Sequence, residues 1–146
     1  MVPAVLTVVI PLAACSTPSW LCYFPGGVKK VTLVTAPDTN SDRAIAVDLV
    51  YATGTLAAQQ IGKLSAREFF SRRTQLLRDY PDSVTIRSWE VAPGQLVKNA
   101  ETKPPCNLVA SYLFADYATP GDHRVTLGEV HTVEVTLGAA DLSVGP

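Results

Sequence analysis

Few side chains in this 146-residue chain could do chemistry, and their spacing decides what that chemistry would be. The two histidines, His123 and His131, stand on either side of a predicted turn. Asp122 adjoins the first and Glu129 lies two residues before the second, so a cross-strand histidine pair with a carboxylate is the one conceivable metal site. Such a pair arises easily by chance in a hairpin, and no metal is expected. No serine has a Gly-x-Ser-x-Gly surrounding, and Gly26-Gly27 does not open a predicted helix as a phosphate loop must. Asp38 with Asp42, and Asp79 with Asp82, fall in turns and at a helix end, where solvation accounts for them. An activated nucleophile with its base and orienter is missing, so catalysis is not expected. Three thiols remain: Cys15, Cys22 and Cys106.

Cys15 closes an apolar run. Met1 to Ala14 carries no charge, and as a helix rising about 1.5 Å per residue it falls well short of a hydrocarbon core of about 30 Å. It has the shape of a secretory h-region ending in small residues. Leu12-Ala13-Ala14-Cys15 resembles the bacterial lipobox, in which the cysteine thiol is joined to a diacylglyceryl group and becomes the first residue of the mature chain. On that reading residues 1–14 are a lipoprotein signal peptide, and Cys15 carries a covalent lipid, with no other cofactor. Two or three acyl chains hold a protein stably where one holds it marginally, at about 0.8 kcal/mol per buried methylene. Ser16 follows the cysteine, and lipoproteins without Asp at that place resemble those exported to the outer membrane. Signal peptides open with Lys or Arg, whereas none precedes Lys29 here, so the true start is expected upstream of Met1. An ordinary secretory signal and a buried N-terminal strand are the competing readings.

The chain beyond Cys15 fits one domain, long enough for a real core. Its net charge of −1 and scattered basic residues give no phosphate-tracking surface, so nucleic acid is not an expected partner. With Cys15 assigned to lipid, Cys22 and Cys106 form an even pair in a chain expected in the oxidising periplasm. A disulfide between them would stabilise the fold by roughly 4 kcal/mol in the chain-entropy model and tie the tether to the loop holding Pro104 and Pro105. Two free buried thiols, or a metal pair lacking further ligands at metal-site spacing, compete with it.

The elements that must position these groups are mostly strands. Residues 15–29 form the lipidated cysteine and a Pro/Gly/Ser-rich linker around Trp20, Tyr23 and Phe24, and residues 30–146 form the domain. "KVTLVTA" from Lys30 and "AIAVDLVY" from Ala44 alternate as strands, separated by the turn-forming "PDTNSD" of Pro37 to Asp42. Ser65 and Glu68 form a capping box ahead of a helix from Ala66 to Tyr80, stopped by Pro81. Phe69, Phe70, Leu76, Leu77 and Tyr80 fall within about 120° on its wheel, with Arg73 in mid-stripe, where it snorkels or meets a carboxylate of the domain. "VTIRSWEV" from Val84, "QLVKN" from Gln95 and "NLVASYLFADY" from Asn107 follow as strands, then "HRVTL" and "VHTVEVTL" as a hairpin about Gly128-Glu129. The tail from Gly138 is expected to fray. Many short strands with turn signals favour a β-sandwich with one helical insertion.

That order of pieces resembles the outer-membrane lipoprotein of the type VI secretion system, the TssJ family. "VTLVTAPDTNSDRAIAVDLVYA" (Val31 to Ala52) looks like the family's first two strands and their loop, "LSAREFFSRRTQLLRDYP" (Leu64 to Pro81) like its helical excursion, and "SWEVAPGQ" (Ser88 to Gln95) like its Pro-Gly turn. His123-Arg124 stands where the family often has Trp-Arg. The resemblance implies a transthyretin-like β-sandwich with no enzymatic activity, anchored by lipid at the periplasmic face of the outer membrane. It also implies a place in a multi-subunit envelope complex, in which the domain binds the periplasmic domain of the inner-membrane subunit TssM. The contact would fall on the first loop: Pro37, Asp38, Thr39, Asn40, Ser41 and Asp42. A periplasmic lipoprotein of another class, such as a pilotin or a small-ligand-binding module, is the alternative, and it would show a concave apolar pocket between the sheets.

Overall fold

The computed structural model describes residues 26–145. The expected signal peptide, Cys15 and Cys22 lie outside them. Eight strands and two helices follow in the order β1 (Lys30–Thr35), β2 (Ile45–Ala52), α1 (Thr55–Ile61), α2 (Ala66–Asp79), β3 (Val84–Val91), β4 (Leu96–Glu101), β5 (Ala110–Ala115), β6 (Arg124–Leu127), β7 (Thr132–Leu137) and β8 (Leu142–Gly145). The strands form two four-stranded sheets, ordered β4-β1-β7-β8 and β3-β2-β5-β6. This is the mainly β sandwich that the sequence predicts.

Period-two alternation builds the space between the sheets. Val31 and Leu33 of β1, Val47, Leu49 and Tyr51 of β2, Leu113 of β5 and Val133, Val135 and Leu137 of β7 share one buried cluster. Tyr51 satisfies its hydroxyl there by donating to the Val28 carbonyl at 2.5 Å.

A second cluster lies on the outer face of the β3-β2-β5-β6 sheet, under the helical insertion. The predicted capping box is present: the Ser65 amide donates to Glu68 Oε2 at 2.9 Å and the Glu68 amide to Ser65 Oγ at 3.4 Å. Helix α2 then lays Phe69 flat on Phe114, ring centroids 4.2 Å apart. Arg73 meets a carboxylate of the domain, Nε lying 2.7 Å from Oδ2 of the buried Asp48, while its Nη2 donates to Ser88 Oγ at 2.7 Å. Burial pushes the Asp48 carboxyl up in pKa, and Ser88 and Arg73 pull against it. Because helices cover this face, β2 is buried on both sides, and its apolar run is nearly continuous.

Three features differ from the sequence expectations. The insertion contains a second helix, α1, whose N-cap Gly54 offers no side-chain cap and therefore no sequence signal. Strands β6 and β7 are not a hairpin: β6 pairs with β5 and β7 with β1 and β8, so the chain changes sheets across residues 128–131. The tail does not fray but forms β8 on the edge of β7, with Leu142 and Val144 packed against the core.

Phe69→Ala should lower the free energy of urea unfolding by about 3–5 kcal/mol, since both the ring's burial and its stack are lost. Leu77→Ala, at a residue 38% exposed, should cost less than about 1 kcal/mol in the same measurement. Arg73→Met should destabilise by roughly 2 kcal/mol or more because Asp48 is left buried without its cation, and adding Asp48→Leu should recover most of that loss.

Candidate partner-binding surface

The registers place four connections at one end of the sandwich. Thr35 pairs with Leu137, Val34 with Leu96, Ile45 with Val91, Val47 with Ala115, Phe114 with Arg124 and Leu137 with Leu142. The β1–β2, β3–β4, β5–β6 and β7–β8 connections therefore share that end. Gly26 to Val28 enter at the other, where Lys30 pairs with Glu101 and Thr132. With strands of six to eight residues rising about 3.3 Å each, the two ends stand about 20–25 Å apart. Cys106, in the β4–β5 connection at the entry end, is disulfide-bonded. Cys22, its expected partner, is outside the described residues.

The β1–β2 loop divides its labour between anchoring and display. Thr39 and Asn40 are buried, whereas Pro37, Asp38, Ser41 and Asp42 are exposed. The Thr39 hydroxyl donates to the Leu137 carbonyl at 2.7 Å, and the Asn40 amide to the Ala139 carbonyl at 3.1 Å. The Asn40 side chain accepts from the Ala118 amide at 2.9 Å and donates to the Ala44 carbonyl at 3.1 Å. Of the six predicted contact residues, these two hold the loop, and the other four are left to present side chains.

Between the anchors and β2 the chain makes a left-handed turn. Asn40, Ser41 and Asp42 have φ of 50°, 57° and 58° in succession. Left-handed helical backbone costs L-residues roughly 1–2 kcal/mol each, least for Asn and Asp, so the turn persists because the anchors over-determine it. The exposed residues are thereby displayed on rigid backbone.

A second network stiffens the same end. His123 is buried, with Nδ1 3.0 Å from Asp141 Oδ1 and Nε2 3.0 Å from the Thr119 carbonyl. The Tyr117 hydroxyl is shared between the Gly138 and Asp141 carbonyls at 3.1 and 2.9 Å, and burial together with the Asp141 charge pushes its phenol pKa up. The hydrogen bond from His123 holds the Asp141 carboxyl below its ordinary value, with the Leu142 amide assisting. Arg124 donates to the Leu64 carbonyl at 3.0 Å and also to that of Gly62, and the Ala66 amide donates to the Asp122 carbonyl at 2.8 Å, so the helical insertion is joined to the β5–β6 connection. Nothing in local spacing announces these roles, because the partners are brought together only by the sheet.

The two histidines do not meet. His131 lies at the entry end, Nδ1 3.3 Å from the Gly27 carbonyl, a sheet's length from His123. Among the described residues no three His, Cys, Asp or Glu side chains gather as a metal group, and no helix is long and apolar enough to cross a membrane. A cavity of about 450 Å³ opens where the edge strands β3 and β4 part, and its walls carry Arg87, Glu101 and Lys103. Tyr51 and Ile86 also line it, so it is a groove of mixed polarity at the side of the sandwich. What the loop end presents is fixed backbone and exposed polar groups.

Asn40→Ala should lower unfolding free energy by about 2 kcal/mol, as two partly buried hydrogen bonds and a residue tolerant of positive φ are lost together. Ser41→Gly and Asp42→Gly should leave stability unchanged or raise it by up to about 1 kcal/mol, since glycine meets the same φ without steric cost. The sign for Asp141 follows from its lowered folded pKa: its contribution is present above the unfolded value of about 4 and is lost as pH falls through the folded one. Urea midpoints measured from pH 6 down to pH 2.5 should fall less steeply for Asp141→Asn than for the parent.

No family model matches the sequence, and no curated protein matches it. Solved structures do. The T6SS lipoprotein TssJ1 from Pseudomonas aeruginosa superposes with a TM-score of 0.64 at 15% identity, covering 83% of this chain and 95% of that one. Serratia marcescens Lip, a membrane-bound component of the type VI secretion system, gives 0.63 at 12% identity over 81% of this chain and 95% of its own. A chain in the structure of the T6SS protein TssM C-terminal domain from EAEC gives 0.62 at 11% identity over 81% and 97%. Across nearly the whole length of these neighbours, the chain carries the TssJ-type sandwich fold.

Proposed function

We propose that this chain is a non-enzymatic lipoprotein of a type VI secretion membrane complex. Cys15 carries the lipid that fixes it to the periplasmic face of the outer membrane, and the β1–β2 loop binds the periplasmic domain of the inner-membrane subunit TssM. The fold shared with TssJ1 and Lip supports the class of protein, and the chain of the same fold in the TssM structure supports the partner. The observation that carries the reading is the polarity of the sandwich: residues 26–28 enter at one end, and the rigid β1–β2 loop projects from the other. A lipid attached ahead of the entry end would leave that loop facing away from the membrane, toward a partner rising from the opposite one.

In the same reading Cys22 closes the disulfide on Cys106, which lies at the entry end, so tether and domain move as one body. Exposed loop residues on a rigid scaffold suit specific recognition, because little backbone entropy is lost when they bind.

Titration calorimetry of the soluble chain from Ser16 against the periplasmic domain of TssM tests the assignment. Saturable binding is expected, weakened at least about tenfold by Asp38→Arg with Asp42→Arg while the melting temperature stays put. Absence of binding by the folded chain would remove the secretion role. Cys15→Ser should move the full chain from the membrane fraction to the soluble periplasm; retention in the membrane would remove the lipid anchor.

A further inference from the structure

We propose that His123 is a positioning residue for the β1–β2 loop, acting as a doubly protonated clamp between the β5–β6 and β7–β8 connections. The inference rests on the reading that this loop binds the partner. The ring lies with both nitrogens 3.0 Å from oxygens that can only accept: the Asp141 carboxylate and the Thr119 carbonyl. The Thr119 hydroxyl, 3.4 Å from Nε2, already directs its proton to the Ala140 carbonyl at 3.0 Å. An imidazole bearing one proton serves one of these acceptors and sets a lone pair against the other, whereas an imidazolium serves both.

The site is closed around the ring. His123 is 7% exposed, its ring centroid stands 4.7 Å from that of Tyr117, and a Cβ at Gly121 would fall 2.6 Å from its Cε1. His123 itself sits at φ 42°, a strained backbone position that the two side-chain bonds help to hold. The titratable groups facing the ring are Asp141 from the β7–β8 turn and Tyr117 from the β5–β6 connection. Of its chain neighbours, Arg124 is committed to the Gly62 and Leu64 carbonyls, and the exposed Asp122 lends its carbonyl to Ala66.

Both connections joined by His123 also hold the β1–β2 loop. The β7–β8 side supplies the carbonyls of Leu137 and Ala139 to Thr39 and Asn40, and the β5–β6 side supplies the Ala118 amide to Asn40. Loss of one ring proton removes a clamp bond and lets these two supports separate. The left-handed turn at Asn40, Ser41 and Asp42 depends on both. Loop order, and partner affinity with it, should therefore fall when the ring no longer serves both acceptors.

The test uses the full chain in detergent micelles with the periplasmic domain of TssM. Affinity is expected to drop at least about fivefold for His123→Gln, which puts one amide donor group in place of two ring donors, and to stay unchanged for His131→Gln. Nitrogen-15 spectra of the unbound chain should show both His123 ring nitrogens protonated, with amide-exchange protection of Asn40 and Ala118 lower in His123→Gln than in the parent. A ring with a single proton while those amides stay protected would overturn the clamp, as would equal affinity and equal amide protection for the parent and a folded His123→Gln. Should no binding occur, the ring and amide measurements still decide the clamp while the partner assignment alone fails.

Discussion

The loop end of this protein depends on one pairing, the parallel alignment of β1 with β7 from Lys30 opposite Thr132 to Thr35 opposite Leu137. Parallel strands leave a sheet at the same end, so the chain after Thr35 emerges beside the chain after Leu137. Only then can Thr39 reach the Leu137 carbonyl and Asn40 the Ala139 carbonyl, in bonds that span about a hundred residues of sequence. An antiparallel β7 would have sent its C-terminal end to the entry side and left the loop without its anchors. The same pairing makes β1 an interior strand, bounded by β4 and β7, which fixes the end at which residues 26–28 enter.

The helical insertion solves a different problem. The β3-β2-β5-β6 sheet has an apolar outer face, with Val50, Tyr112 and Phe114 on it, and a sheet left bare on that side would present a large sticky surface. Helices α1 and α2 cover it through Ile61, Phe69 and Leu76, and the Asp48–Arg73 pair sets the position of α2 along the sheet. A buried ion pair is poor evidence for stability, since its desolvation offsets much of its attraction, but it disfavours alternative registers in which Asp48 would lie unpaired. Because the β5–β6 connection is bonded to the insertion through Ala66, Arg67 and Arg124, the covered face and the loop end form one rigid unit.

What local periodicity encodes was legible in the sequence. Alternation at Val31, Leu33 and Thr35 marks the buried face of β1, the Ser65/Glu68 box marks the start of α2, and a cation in an apolar stripe at Arg73 must snorkel or meet a carboxylate, the second of which the fold supplies. What depends on which strand lies beside which was not. The pattern around Gly128-Glu129 looks like a hairpin because alternation does not reveal that β6 and β7 join different sheets. The small residues of the tail hide β8, whose stability comes from an edge supplied by β7. The β1–β2 loop is visible as a polar, turn-rich stretch, yet the burial of Thr39 and Asn40 is not, since their partners lie 78 and 98 residues away. His123 is hidden in the same way: its acceptors converge from Thr119 and Asp141 only once both connections share an end.

The central claim is that the protein has two working ends, a tethered one and a recognising one. Hydrogen–deuterium exchange of the chain with and without the periplasmic domain of TssM tests it most directly. The account predicts added protection across residues 36–44 and the adjoining β5–β6 and β7–β8 connections, with the β4–β5 and β6–β7 connections unchanged. Protection confined to the entry end, or along the exposed edge of β3, would contradict it.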